Sequence, residues 1–236
     1  MKIAAVPVKD LVNAKQRLVS VLTADERAAL ARAMLVDVLT ALTGAGLDAI
    51  WVVTRDAEVT TIARGLGADV LAEAENRGHT AAVAFAQAEA KRRAAGVFVT
   101  VPGDVPCATA DELRALAAMT GAPPAVALTP SRSGAGTNGV AMTPVDAMPL
   151  RFGEPSFSDH VTAARACGLE PRVLRLPGLG LDIDAPDDLA ALLAAGAGTE
   201  SARLVATWPI AARLARRAEA ARAQLTTHGP SRSKPS

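Results

Sequence analysis

Short, continuously apolar runs alternate with longer helical stretches along this chain, and that alternation limits the fold more than any other feature. IAAVPV (3–8), AIWVVT (49–54), ADVLAE (68–73), GVFVTVPGD (96–104), PAVALTP (124–130), NGVAMTP (138–144) and PRVLRLP (171–177) read as strands. Most are apolar at nearly every position rather than at every second one. Such strands bury both faces, as in a largely parallel sheet between two helical layers. The intervening segments 23–42, 57–67, 79–95, 109–119 and 156–168 read as helices. Two of them open on capping boxes, Thr23 with Glu26 and Thr109 with Glu112. Ser156 is the expected cap of the last. The expected fold is therefore α/β: a mainly parallel, mixed central sheet with helices on both faces, Rossmannoid in class.

Half of the 236 residues are hydrophobic, enough for a sizeable core. No apolar run approaches the length of a membrane span, and no basic-then-apolar leader opens the chain, so a cytoplasmic protein is expected. Cys107 and Cys167 lack disulfide or metal spacing and read as buried free thiols. A net charge of +1 gives no support to a nucleic-acid partner. The charge is uneven: residues 199–236 carry seven Lys or Arg against two Glu. The break at AAGAGTE divides a body, 1–198, from a basic helical extension, 199–236, with a disordered end. Pro209 splits that extension into two helices. Leu204 and Trp208 form a short apolar stripe on it, which leaves packing on the body, a homodimer and a solvated appendage all open.

The chemistry gathers where strands end. In LDIDAPDDL (181–189), alternation buries Leu181 and Ile183 and puts Asp182 and Asp184 on one face. Two like charges on one face are tolerable in water or around a cation. A solvated turn with Asp184 as helix N-cap is the plain alternative. Asp104, in VPGDVP, adds a third carboxylate at the same edge, and oxygen ligands suit a hard cation such as Mg²⁺. PVKDLVNAKQRL, after the first strand, clusters Lys9, Lys15 and Arg17 without an evident acidic match, which suits a polyphosphate; a solvated basic loop is the alternative. Neither a dinucleotide fingerprint nor a Walker loop is present. His79, His160 and His228 are scattered and read as packing or surface residues. A reaction that needs no protein base fits this set, and phosphoryl or nucleotidyl transfer between phosphorylated substrates is one.

VPVKDLVNAKQRL, PGDVP, GTNGVAM, RFGEPSFSDH and LDIDAPDDL, in this order, resemble the phospho-acid guanylyltransferases of coenzyme F420 biosynthesis. These are similar to nucleotidyltransferases with a glycosyltransferase-A-like fold, and the resemblance covers roughly residues 1–195. GTN followed by FGxxSFxxH is its more specific part. It implies that Thr137, Gly153 and Ser156 hold a phosphorylated C3 acid. It also implies that Asp104, Asp182 and Asp184 hold Mg²⁺; Lys9, Lys15 and Arg17, read from their clustered charge, are then expected to hold the triphosphate of GTP and to serve catalysis. The acids in view are phosphoenolpyruvate, 2-phospho-L-lactate and 3-phosphoglycerate, and the product would pass to a transferase acting on a deazaflavin precursor. Gly78 is kept from a GLNAAL-like nucleotide segment, whereas His79 and Thr80 replace its Leu and Asn. The physics of the residues agrees with this picture: GAGTN can wrap an anion with backbone N–H groups, and a helix beginning at Ser156 offers more. A cytidylyl- or molybdopterin-type enzyme, a glycosyltransferase and a non-catalytic nucleotide-binding module are the alternatives.

Overall fold

The computed structural model describes the chain except residues 12, 13, 74, 76, 119–121, 154 and 228–236. Among the described residues, seven strands form one sheet in the order β3-β2-β1-β4-β6-β5-β7. The strands are β1 (Lys2–Pro7), β2 (Ala49–Thr54), β3 (Asp69–Ala72), β4 (Val97–Thr100), β5 (Ala125–Pro130), β6 (Thr137–Thr143) and β7 (Arg172–Val173). The helices are α1 (Ala24–Gly44), α2 (Ala57–Gly65), α3 (His79–Arg92), α4 (Ala110–Ala118), α5 (Ser156–Ala166), α6 (Pro186–Ala195), α7 (Glu200–Ala206) and α8 (Ile210–Thr227).

The apolar strands do separate two helical layers. Ala4 and Val6 of β1 face α1, α2 and α4 through Leu35, Leu39, Val59 and Leu116. Ile3 and Ala5 face the opposite layer, where α3 contributes Val83 and Ala86 and α5 contributes Ala164. Both capping boxes form: Thr23 Oγ1 accepts from Glu26 N–H, and Glu26 returns a carboxylate oxygen to Thr23 N–H. Thr109 and Glu112 repeat the arrangement.

Two features place the site. Strand order reverses between β1 and β4, which opens a crevice at their carboxyl ends. β6 then runs antiparallel to β4, with Thr100 opposite Val140. Its first residues, Thr137 and Asn138, are therefore carried to the carboxyl edge of the parallel strands.

Some elements differ from expectation. β4 ends at Thr100, so Asp104 stands in a loop. Residues 171–177 contribute only the two residues of β7. LDID is not a strand, although its alternation survives: Leu181 and Ile183 are buried while Asp182 and Asp184 are not. One hydrogen bond, Ile183 N–H to the Asp104 carbonyl at 3.0 Å, does the tethering that a ladder would do. Cys107 is buried as expected, but Cys167 is exposed.

Past residue 198 the chain continues into the core. Pro209 separates α7 from α8 as expected. Ala202, Val205 and Ile210 join Leu30, Met34, Leu189 and Leu192 in a third apolar cluster, with Trp208 partly buried against it. Asp37 of α1 caps α7, accepting from Glu200 N–H, Ser201 N–H and the Ser201 hydroxyl at 2.7, 2.9 and 2.6 Å. No single helix among the described residues is long and apolar enough to cross a membrane.

Candidate active site

Lys15 anchors the site from an unusual backbone. Its φ of 57° and ψ of 44° lie in the left-handed region, which is costly for a residue with a Cβ. The side chain is only 7% exposed, and its ammonium donates to Asp104 Oδ2 at 2.5 Å and Asp184 Oδ1 at 2.8 Å. Burial works against that charge, but the two carboxylates outweigh it and raise the Lys15 pKa. At Asp184 burial pushes the carboxyl up, and Lys15, helped by Arg17, outweighs it and lowers the pKa. The basic loop therefore has an acidic match after all, from residues far along the chain. Lys9 and Arg17, by contrast, are exposed.

Each aspartate is placed by a neighbour. Asn138 donates to Asp182 Oδ1 at 3.1 Å, yet burial keeps the Asp182 carboxyl above its ordinary range. Asp188 accepts from the N–H groups of Asp184 and Ala185 at 3.0 and 2.7 Å, so it holds the start of α6. That disposes of Asp184 as the helix cap; its carboxylate faces Lys15 instead. Upstream, Glu112 accepts from Gly178 N–H and Leu179 N–H at 2.8 and 3.1 Å. A side chain at position 178 would meet the Cys107 carbonyl oxygen at 2.1 Å, so the turn into LDID requires glycine.

The three carboxylates share one edge, but they do not form one cluster. Among the described residues, no three His, Cys, Asp or Glu side chains lie close enough to hold a single ion. The Lys15 ammonium occupies the place between Asp104 and Asp184. The donor set still fits a hard cation: it is all oxygen, and Asp104 Oδ1 is buried with no hydrogen-bond partner.

Two cavities meet here. One, of about 280 Å³, is lined by Lys9, Lys15, Gly103 and Asp104, with Met34 and Leu35 behind. The other, of about 430 Å³, is lined by Gly78, Thr137, Asn138, Gly153, Ser156 and Asp182. His79, Pro102 and Asp104 belong to both walls. Thr137, Gly153 and Ser156 are thus brought together as expected. Arg17 lines neither cavity. Gly153 has φ 129°, where glycine is favoured, and open space lies beyond it. Ser156 is the first residue of α5 rather than its cap, which is Pro155. Its hydroxyl donates to Thr137 Oγ1 at 3.3 Å. A wider cleft of about 860 Å³, between residues 19–23 and α8, lies apart from the carboxylates.

Sequence reading missed the part played by two histidines and a threonine. His79 lines both cavities, its ring 4.5 Å from that of Phe152. His160 is 1% exposed and bonds to Thr137 and to the backbone of Arg151. Burial lowers its pKa to about 4. The available signal was the closing histidine of FGxxSFxxH. Thr80 is joined to the backbone of Phe152.

Comparison with known proteins points one way. The family described as "Guanylyl transferase CofC like" matches residues 1–223. A phosphoenolpyruvate guanylyltransferase of Rubrobacter xylanophilus is 39% identical over 193 residues, which is 82% of this chain and 94% of that protein. A 3-phospho-D-glycerate guanylyltransferase of Phenylobacterium zucineum is 34% identical, covering 86% and 94% of the two chains. A 2-phospho-L-lactate guanylyltransferase of Methanothermobacter thermautotrophicus is 33% identical, covering 84% and 86%. Among solved structures, a chain from Desulfovibrio desulfuricans G20, described provisionally as a nucleotide-diphospho-sugar transferase, superposes with a TM-score of 0.71 at 17% identity. It covers 87% of this chain and 94% of its own. The manganese complex of Rv0371C from Mycobacterium tuberculosis gives 0.53 at 20% identity, covering 82% and 97%.

Proposed function

This chain belongs to the CofC-like guanylyl transferase family, and on that premise we propose that it joins GMP from GTP to phosphoenolpyruvate, releasing pyrophosphate. The relatives of 38–42% identity carry the phosphoenolpyruvate name, whereas those named for the other two acids lie at 33–34%. The observation that carries the reading is the shared wall at Asp104. Two cavities that meet at one carboxylate suit two anionic substrates that must react with each other.

In this reading the 280 Å³ cavity takes the triphosphate, with Lys9 at its rim and Arg17 outside it beside Asp184. The 430 Å³ cavity takes the phosphorylated acid on Thr137, Gly153 and Ser156. Asp104 and Asp182, with Asp184 beside them, would hold a divalent cation, Mg²⁺ in the cell. Such a cation supplies Lewis-acid stabilisation of the charge that develops on the phosphates. A phosphate oxygen of the acceptor is already anionic, so it attacks the α-phosphorus without a protein base. The P–O bond to the β-phosphate breaks and pyrophosphate leaves with that electron pair. The protein's share is positioning and neutralisation: Lys15 fixes Asp104 and Asp184, Asn138 fixes Asp182, and the apolar wall of Met34 and Leu35 limits water. The surroundings proposed are cytoplasmic, and the product goes to the transferase that consumes it.

Pyrophosphate release settles the matter when the four NTPs are screened against phosphoenolpyruvate, 2-phospho-L-lactate and 3-phosphoglycerate. GTP with phosphoenolpyruvate is the expected best pair. A preference for CTP would indicate the cytidylyl type, and no release with any pair would indicate a binding module.

A further inference from the structure

The wall of the 430 Å³ cavity is held by a hydrogen-bond arrangement whose proton directions can be worked out. His160 Nε2 accepts from Arg151 N–H at 3.0 Å, so it carries no proton. In a neutral imidazole the proton is then on Nδ1. Nδ1–H therefore donates to Thr137 Oγ1, 2.9 Å away. The same oxygen accepts the Ser156 hydroxyl at 3.3 Å. A threonine hydroxyl has two lone pairs and one proton. With both lone pairs taken from behind, the Thr137 proton is left as the group it can present to a ligand.

The next backbone group is fixed as well. Thr80 Oγ1 accepts from Phe152 N–H at 2.9 Å. Two successive N–H groups, of Arg151 and Phe152, are thus pinned by side chains from two different helices. The Phe152 ring packs against the rings of His79 and His160, at centroid distances of 4.5 and 4.9 Å. Gly153 follows directly, with its φ of 129° and its place on the cavity wall. Thr80 is one of the two positions at which NRGHTAAV departs from the GLNAAL-like pattern. It is joined to this loop.

We propose that His160 and Thr80 are positioning residues for the acceptor. His160 sets the direction of the Thr137 proton, and the two together hold the 151–153 loop so that a hydroxyl donor and the Gly153 backbone meet one anionic group of the phosphorylated acid. The inference rests on the reading that this cavity takes the acceptor.

The experiment is steady-state kinetics on the full chain with separate KM values for GTP and phosphoenolpyruvate. It compares His160→Ala with His160→Asn, and Thr80→Val with Thr80→Ser. Asparagine keeps a donor near the Nδ1 position, and serine keeps the hydroxyl. His160→Ala should raise the acceptor KM roughly 10- to 100-fold, the scale of one hydrogen bond to a charged group, with the GTP KM unchanged. Thr80→Val should raise it roughly 3- to 10-fold, the scale of a neutral bond. Asn and Ser should recover most of each loss. If the acceptor KM stays put in both Ala and Val variants, the positioning role is wrong while the reading of the cavity stands. If only the GTP KM moves, the cavity has been given to the wrong substrate and both fall. Equal damage in the conservative and non-conservative variants would reduce both residues to structural ones and overturn the proposal. Should His160→Ala fail to fold, the Thr80 pair decides on the same criteria.

Discussion

Lys15 and Asp104 are 89 residues apart in the chain and 2.5 Å apart in the fold. Their ion pair, shared with Asp184, is what brings the loop after β1 against the segment before α6. Replacing Lys15 with Met should leave two carboxylates facing each other across the lost ammonium. Asp104 and Asp184 are 28% and 44% exposed, so solvent screens part of that repulsion. A loss of about 1–2 kcal/mol is expected, below the range for fully buried pairs. Because the native Asp184 pKa is lowered, the pair's contribution is complete above the ordinary carboxylate range and is lost as pH falls below that range through the lowered Asp184 value. Urea unfolding of Lys15→Met should therefore differ from wild type at pH 7 and converge with it only in acid below the ordinary carboxylate range. A gap that persists in acid would mean that packing, not charge, is what Lys15 provides.

Asp182→Asn separates catalysis from folding. Burial already disfavours the Asp182 carboxylate, and an amide at 182 could still accept from Asn138. Pyrophosphate release should fall roughly 100-fold or more while the thermal midpoint holds or rises. Full activity in this variant, or in wild type with excess EDTA, would remove the cation from the proposed mechanism.

His160 predicts a pH window for stability. Its folded pKa is about 4 against an ordinary 6.5, so the unfolded chain takes up a proton that the folded chain refuses. Stability should fall as pH drops through that interval, by about 2 kcal/mol between pH 7 and pH 5 from this group alone. His160→Asn lacks the titrating ring, so chemical denaturation at the two pH values should show a correspondingly smaller drop. Identical drops in both proteins would place the titration elsewhere.

Ser156→Ala and Gly153→Ala test the acceptor cavity from two directions. The serine change removes the hydroxyl that donates to Thr137 Oγ1 and helps to direct the Thr137 proton, so it should raise the acceptor KM roughly 3- to 10-fold, the scale of a neutral bond, with the GTP KM unchanged. The glycine change meets no neighbouring atom, but it forces a Cβ into a backbone with φ 129°. It should cost about 1–3 kcal/mol in folding or move the loop, and binding should weaken with it. A weakened GTP KM with an unchanged acceptor KM in Ser156→Ala would reverse the assignment of the two cavities.

Asp37→Ala removes the three bonds that cap α7. A loss of about 1–2 kcal/mol is expected, or a midpoint lowered by roughly 2–8 °C. Deleting residues 200–236 should be far worse, because it uncovers Leu30, Met34, Leu189 and Leu192. A truncated chain of unchanged mobility and melting point would show that the third apolar cluster contributes nothing.

How much of this was legible in the sequence depended on range. Apolar runs and capping boxes act over a few residues, so the sheet, its two covered faces and the starts of α1 and α4 could be read directly. The alternation in LDID fixed which side chains are buried, but not that the segment leaves the sheet, because ladder bonds are decided by a partner strand. Asp104, Asp182 and Asp184 were recognisable as one edge because strand ends in such folds share an edge. That Lys15 would sit between two of them was not, since 89 and 169 residues separate it from its partners. The composition of the basic tail left packing on the body, a homodimer and a solvated appendage open, and Ala202, Val205 and Ile210 bury themselves at positions that its Leu204–Trp208 stripe did not mark. His160 looked like packing, and it is buried. What its type could not convey was the pair of polar atoms waiting at each end of the ring.

Glu112 limits the modularity of the fold. Its carboxylate closes the first turn of α4 and, at the same time, receives the N–H groups of Gly178 and Leu179. An engineer grafting this helix from a relative would judge the graft by its apolar face and its starting threonine. A donor helix with Ala at the third position would still form a helix, without its capping box. It would nevertheless leave the strap that delivers Asp182 and Asp184 without its mooring, so chimaeras crossing over between residues 112 and 178 should be sound in fold and impaired in turnover.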